Sequence, residues 1–265
     1  MAEPLHITSL ENPRVKEAVR LRSRRAREQT GRFLVEGGRE IERALNAGLR
    51  PQVWFAAEGP VHEGLRARAA AAGARVFTVG PRVHRKLALR EGGEEPIAVF
   101  EIPSTDPQRL QLPAQPLVLA VSEVEKPGNL GALLRSADGF GVDALLVEGG
   151  TDLWSPNSVR ASLGCLFSVP LGSFATGRLL PWLRERGLRV VAATPQGAVG
   201  PEDVDWTGGI ALVVGSEDRG LSAAWLAAAD ACIRLPMRGA ADSLNVSVTA
   251  AVLLYEAVRM RTARR

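Results

Sequence analysis

The sequence predicts an α/β protein in two parts, a smaller α/β domain followed by a mostly parallel sheet with helices on both faces. Three observations predict it. Helical and strand-like patterns alternate along the 265 residues. The stretch PSTDPQRLQLPAQP breaks that alternation with Pro103, Pro107, Pro113 and Pro116 and reads as a linker. Beyond it the strand-like runs become continuously apolar, as strands buried on both faces of a parallel sheet are. The boundaries are drawn at 1–103, a linker at 104–116, and 117–265.

Before the linker, a basic helix from about Pro13 to Glu28 leads to the strand RFLVE at 32–36, and a helix at 38–47 stops at Gly48. The strand QVWFAA at 52–57, an Ala-rich helix at 61–72 and the strand RVFTV at 75–79 follow. A short helix after Pro81 and the strand PIAVFEI at 96–102 close the first part. After the linker, strands are read at 117–121, 144–148, 166–171, 189–193, 210–214 and 232–236, with helices at 129–139, 156–163, 177–186, 222–229 and 245–260. The last helix carries Val248, Ala251, Val252, Tyr255 and Val258, an i, i+3, i+4 apolar stripe. No internal repeat is apparent.

Composition excludes several classes. Hydrophobic residues make up 46% and charged residues 23%, which is globular rather than disordered. No apolar run reaches the roughly 18 residues of a membrane span. The opening MAEPLHITSLENPR has no basic-then-apolar export pattern, so a cytoplasmic location is expected. Cys165 and Cys232 sit among apolar neighbours and are expected as buried free thiols. His6, His62 and His84 are far apart, so no metal site is expected.

A net charge of +4 suits an anionic partner without proving one. Lysine occurs only at Lys16, Lys86 and Lys126 among the 33 basic residues. Arginines cluster at Arg20, Arg22, Arg24, Arg25, Arg27 and Arg32, against Glu28 alone. The cluster is either a solvated helix face or a phosphate-contacting surface, since guanidinium forks match phosphate oxygens.

Some familiar motifs fail. GFGVDA at Gly139–Ala144 follows a helix and enters a strand, the reverse of a dinucleotide-binding turn. GSEDRGLS at 215–222 has P-loop glycine spacing, but Leu221 replaces the phosphate-binding lysine and Glu217 and Asp218 would repel a triphosphate. No G-x-S-x-G elbow is present. Three strand-end segments remain. In EKPGNLGALLRSADGFG, Asn129 opens a helix, as an N-cap or as a functional amide. Arg135 sits in that helix among Leu130, Leu133, Leu134 and Ala137, so it needs a carboxylate, a phosphate, a subunit edge or a snorkelling path. In IALVVGSEDRGLS, Gly215 would allow close approach of a ligand to the backbone, Glu217 offers a carboxylate in the crevice, and Ser222 reads as the next N-cap. In LPMRGAADSLNVS, Ser243 or Asn245 caps the last helix.

In this order and spacing, N-x-G-A-x-x-R, G-S-E-x-x-G-L and P-M…S-L-N-V-S resemble the three motifs of the SpoU/TrmH-type RNA ribose 2′-O-methyltransferases, of the SPOUT class. NPRVKEAVRL and RFLVEGGREIERAL resemble the L30e-like substrate-binding domain of the ribosomal-RNA branch. The resemblance implies a C-terminal trefoil knot, an S-adenosyl-L-methionine site and a homodimer through the C-terminal domain with catalytic groups from both subunits. It implies cofactor contacts at Thr194, Pro195, Gly215, Glu217, Leu235, Met237, Ser243 and Leu244, and a catalytic set of Asn129, Arg135, Glu217, Ser243 and Asn245. Arg135 would clamp RNA phosphate or help to activate the hydroxyl, and Glu217 would pair with Arg135 or fix its loop. The substrate expected is 23S ribosomal RNA. The alternatives are transfer RNA, a non-catalytic ribosome-assembly factor with a vestigial cofactor site, and antibiotic resistance through the same chemistry.

Overall fold

The structure, a computed structural model, describes residues 5–59, 62–90, 94–150 and 152–263. It contains two compact units, Met1–Ser104 with Asp152–Ser168, and Thr105–Thr151 with Val169–Arg265.

In chain order the first unit holds β1 (Leu5–Ile7), α1 (Pro13–Arg20), α2 (Arg24–Thr30), β2 (Arg32–Glu36), α3 (Gly38–Asn46), β3 (Pro51–Ala56), α4 (Glu63–Ala71), β4 (Arg75–Val79), α5 (Pro81–Leu87) and β5 (Ile97–Glu101). The five strands run in the order β1-β4-β3-β5-β2. β5 is antiparallel to both β2 and β3, and the β1–β4 and β3–β4 pairs are parallel. One face of the sheet packs Leu34, Phe55, Phe77 and Val99 against Val15, Ala18 and Leu21 from the first helical region and Val83 and Leu87 of α5.

The single basic helix expected at 13–28 is two helices. Asn12 caps α1 through its side chain, and α1 ends at Arg20. Ser23 is extended, and its hydroxyl accepts from the Ala26 amide to start α2. A serine placed to cap outweighs helical periodicity there. The three-residue strand β1 escaped the pattern because so short a run carries no periodicity.

The second unit holds β6 (Leu117–Ser122), α6 (Pro127–Gly139) and β7 (Ala144–Glu148). After α7 (Pro156–Ala161), which lies in the segment grouped with the first unit, come β8 (Leu171–Phe174), α8 (Leu179–Glu185), β9 (Arg189–Ala193), β10 (Ile210–Val214), α9 (Ala223–Ala228), β11 (Ala231–Ile233) and α10 (Val246–Ala263). All six strands are parallel, in the order β11-β9-β10-β6-β7-β8. Every residue of β6, β7 and β10 is buried, as continuous apolar runs require. Val118, Leu146, Val190 and Val213 on one face pack against Leu179, Trp182 and Leu183 of α8 and Trp225 of α9, while α10 packs against α6 and β10.

Several expectations are corrected. The strand read at 166–171 is a 3-10 turn at Cys165–Phe167, and the strand is Leu171–Phe174. Its apolar side chains serve the first unit, where the Phe167 ring lies 6.0 Å from that of Phe33, and Trp154 4.9 Å from it. In α10 the buried residues are Ala250, Leu253, Leu254 and Ala257, one step round from the expected stripe. Val248, Val252 and Tyr255 are instead 47%, 42% and 57% exposed. Cys165 is buried and outside any disulfide, but Cys232 is only half-buried. Among the described residues no helix is long and apolar enough to cross a membrane.

Candidate active site

Parallel α/β sheets collect functional groups beyond the carboxyl ends of their strands, and the second unit does so. The loops after β9, β10 and β11, and the segment entering α10, surround a cavity of about 890 Å³, within the usual ligand range of roughly 300–1,000 Å³. Thr194, Pro195, Gly215, Glu217, Leu235, Met237, Ser243 and Leu244, the whole expected cofactor set, line it.

Two glycines draw these loops together. A Cβ on Gly215 would meet the carbonyl carbon of Gly220 at 2.4 Å and the Leu221 nitrogen at 2.6 Å. The space a Gly215 side chain would take is therefore filled by the loop's own return arm, which Gly220 turns at φ +65° with its amide on the Ser216 carbonyl at 3.0 Å. A Cβ on Gly197 would meet the Ile233 carbonyl carbon at 2.4 Å, so the post-β9 loop lies directly on the chain leaving β11.

A polar chain runs from this cavity to the start of α10. Glu217 Oε1 accepts from Asn129 Nδ2 at 2.6 Å, and Asn129 Oδ1 accepts from Asn245 Nδ2 at 3.1 Å. Asn245 Oδ1 accepts from the Ser247 amide at 2.9 Å and its hydroxyl at 2.7 Å. An ionised carboxylate accepts only. That fixes which end of the Asn129 amide faces Glu217, and thereby the orientation of Asn245.

Burial pushes the Glu217 carboxyl up, but bonds from Asn129 and from the backbone amides of Glu217, Glu125 and Lys126 outweigh it and hold it below its ordinary value. A depressed carboxyl stabilises the fold above its unfolded pKa, and the contribution disappears as pH falls through the folded value. Loop stability in the wild type should therefore decline below about pH 4.3. Glu217→Gln should lack that pH-dependent component when Tm is followed from pH 6 to 3, and an identical pH profile in the variant would contradict the assignment.

Asn129 is not the cap of α6. The helix starts at Pro127 with Lys126 at the cap position, which frees the Asn129 amide for Glu217. Asn245, rather than Ser243, caps α10. Ser222 occupies the cap position of α9 without a side-chain capping bond. Glu217 accepts from the Glu125 and Lys126 amides as well as from Asn129, and has no ion pair with Arg135 among the described residues. The Arg135 side chain is exposed on α6, about two turns beyond Asn129, and makes no hydrogen bond or ion pair among the described residues.

Sequence reasoning passed over Glu148. This 3% exposed acid at the end of β7 accepts from the Gly177 amide at 2.8 Å and Trp225 Nε1 at 3.2 Å, anchoring α9 behind the Glu217 loop. Its signal was an acid closing the apolar run ALLVE. Among the described residues no group of three or more His, Cys, Asp or Glu could hold a metal ion.

The arginine cluster in the first unit divides. Arg27 is buried, bonding the Leu21 and Arg22 carbonyls and Asp152, so it is not a surface contact. Arg22 is spent on carbonyls at the end of α5, and Arg24 pairs with Glu28 at 2.7 Å. Arg20, Arg25 and Arg32 are without side-chain partners among the described residues.

A parallel sheet whose strand-end loops enclose one cavity is what the resemblance to the SpoU/TrmH class implies. The sequence matches the SpoU rRNA Methylase family over residues 116–255 and an MRM3-like substrate binding domain over residues 12–98. The chain belongs to the SpoU rRNA methylase family. It is 34% identical to a 23S rRNA (uridine(2479)-2′-O)-methyltransferase of Streptomyces viridochromogenes, over 92% of this chain and 88% of that one. It is 28% identical to a 23S rRNA (guanosine(2553)-2′-O)-methyltransferase of Bacillus subtilis, over 94% and 97%. Its fold is similar to that of the SpoU methyltransferase AviRb from Streptomyces viridochromogenes in complex with AdoMet, with a TM-score of 0.89 and 30% identity over 96% of this chain and 100% of that one.

Proposed function

We propose that this protein is an S-adenosyl-L-methionine-dependent methyltransferase acting on a ribose 2′-hydroxyl of 23S ribosomal RNA in the cytoplasm. The observation that carries the reading is the Glu217–Asn129–Asn245 chain at the edge of a cavity lined by three strand-end loops. The residues present fit the cofactor. The carboxylates Glu202, Glu217, Asp218 and Asp242 on the cavity lining outnumber Arg219 and Arg234, as suits a cofactor with a sulfonium cation and no phosphate. Met237 and Leu244, 37% and 39% exposed, offer apolar surface to a flat base, and peptide groups of the 194–197 and 235–237 loops border the same space. When bound, S-adenosyl-L-methionine supplies an electrophilic methyl group on a sulfonium sulfur.

The chain's own residues hold the other reactant. Arg135 clamps an RNA phosphate and orients the ribose. A guanidinium is too weak a proton acceptor to serve as an ordinary base, so the hydroxyl proton leaves to water. Glu217 keeps the Asn129 amide oriented, Asn245 braces that amide from the start of α10, and Ser243 borders substrate and loop. Positioning then supplies most of the rate. Arg20, Arg25 and Arg32 contact RNA from the first unit.

The active form is a homodimer through the C-terminal domain, whose chain end threads a trefoil knot. Val248, Val252 and Tyr255 form an exposed i, i+4, i+7 face on α10, with the Phe140 ring 6.3 Å from Tyr255. A second copy laid on that face would bury it and bring Arg135 of α6 towards the subunit edge. Val252→Glu should shift the species in sedimentation from dimer to monomer and lower activity with it, whereas an unchanged dimer would exclude this face. The test of the function itself is incubation with labelled S-adenosyl-L-methionine and total RNA, followed by mapping of 2′-O-methyl groups by nuclease digestion and mass spectrometry. Label in 23S rRNA supports the reading, label only in transfer RNA redirects it, and none overturns it.

A further inference from the structure

We propose that the first unit carries a second RNA site, a pocket that takes one unstacked nucleobase while arginines at its mouth hold the adjoining phosphates. This deepens the RNA reading above and rests on it. Between α1, α2 and the sheet lies a cavity of about 240 Å³, smaller than the roughly 300 Å³ at which ligand pockets usually begin. It therefore suits a single ring system with its sugar and phosphates left outside. Its inner side is apolar: half-buried Val53 is the accessible part, over Phe55 and Val99 of the core.

Arg14, Arg20 and Arg32 line the same cavity, against Glu17 as the single acid. Glu17 is engaged by Arg14 at 3.3 Å, which leaves Arg20 and Arg32 without side-chain partners among the described residues. Gln29, also on the lining, brings an amide that can donate to and accept from a base edge. Apolar surface for a ring, forks for phosphate and one amide for reading are what sequence-selective recognition of single-stranded RNA uses. The pocket assigns purpose to Arg20 and Arg32, which the folding of their own unit does not employ.

The test uses the full-length protein, a 23S rRNA transcript and ultraviolet cross-linking at 254 nm, with adducts mapped by mass spectrometry. Adducts are expected on peptides covering residues 20–32 or 51–56, and Val53→Phe, which fills the pocket, should remove them. Arg20→Ala with Arg32→Ala should raise KM for the transcript on the order of tenfold and flatten its dependence on salt, with affinity for S-adenosyl-L-methionine unchanged. A role confined to folding would not move the salt slope. Adducts on the second unit alone, or KM and salt slope unchanged in the double variant, would overturn the pocket while leaving methyl transfer standing. Absence of both adducts and methyl transfer in the wild type would overturn the RNA reading with it.

Discussion

Arg135→Ala should abolish most methyl transfer while leaving the protein folded, unchanged in oligomeric state and able to bind cofactor. The side chain is exposed on α6 and makes no bond among the described residues, so removing it costs the fold no contact. Surface substitutions of that kind stay within about 0.5 kcal/mol of stability. If the guanidinium holds the RNA phosphate next to the reacting ribose, its loss removes a preorganised charge and the alignment it enforces. Losses of that type run to about 10²–10³-fold. The measurement is single-turnover transfer to 23S rRNA, with Tm, sedimentation and calorimetric cofactor binding as controls. Arg135→Lys should recover part of the rate, because a point charge still binds phosphate but without the planar fork. Near-wild-type turnover of Arg135→Ala would remove this residue from the mechanism.

Much of the second unit was legible because its strands obey one rule. Continuous apolar runs at 144–148, 189–193 and 210–214 match β7, β9 and β10, since strands buried on both faces tolerate little else. That the eight residues expected at the cofactor would share one cavity was also legible, because residues at strand ends must meet on one edge of a parallel sheet. Less visible was anything decided between distant segments. Asn129 read equally as a cap or a functional amide, and only the three-dimensional partner Glu217 shows how its amide is used. The α10 stripe counted from Val248 satisfied helical spacing, yet Leu253 and Leu254 face inward; an apolar helix offers two such stripes and the sequence does not say which meets its own sheet. The apolar run at 166–171 failed for a related reason: apolarity marks burial, while its 3-10 turn comes from local geometry around Gly164 at φ +86°.

Arg27→Ala should lower stability more than any other single arginine change in the first unit. The sequence grouped Arg27 with surface arginines, but its side chain is 4% exposed and Asp152, its partner, 21%. Nη1 donates to the carbonyls of Leu21 at 2.7 Å and Arg22 at 2.8 Å, closing the break between α1 and α2, while Nη2 reaches the Asp152 carboxylate. Truncation would leave two carbonyls without this donor and a carboxylate without its cation. Removing one member of a buried pair costs about 3–5 kcal/mol, which corresponds to a fall in Tm of roughly 6–20 °C for a chain of this size. Arg27→Met with Asp152→Leu should recover much of that loss, because an apolar replacement leaves no buried charge behind. The alternative makes an opposite demand. If Arg27 acted at the surface on phosphate, Arg27→Ala would leave Tm unchanged and weaken RNA binding with a shallower salt dependence. Thermal melts of the two variants, read beside RNA titrations at two salt concentrations, separate a guanidinium that holds α1, α2 and Asp152 together from one that holds RNA.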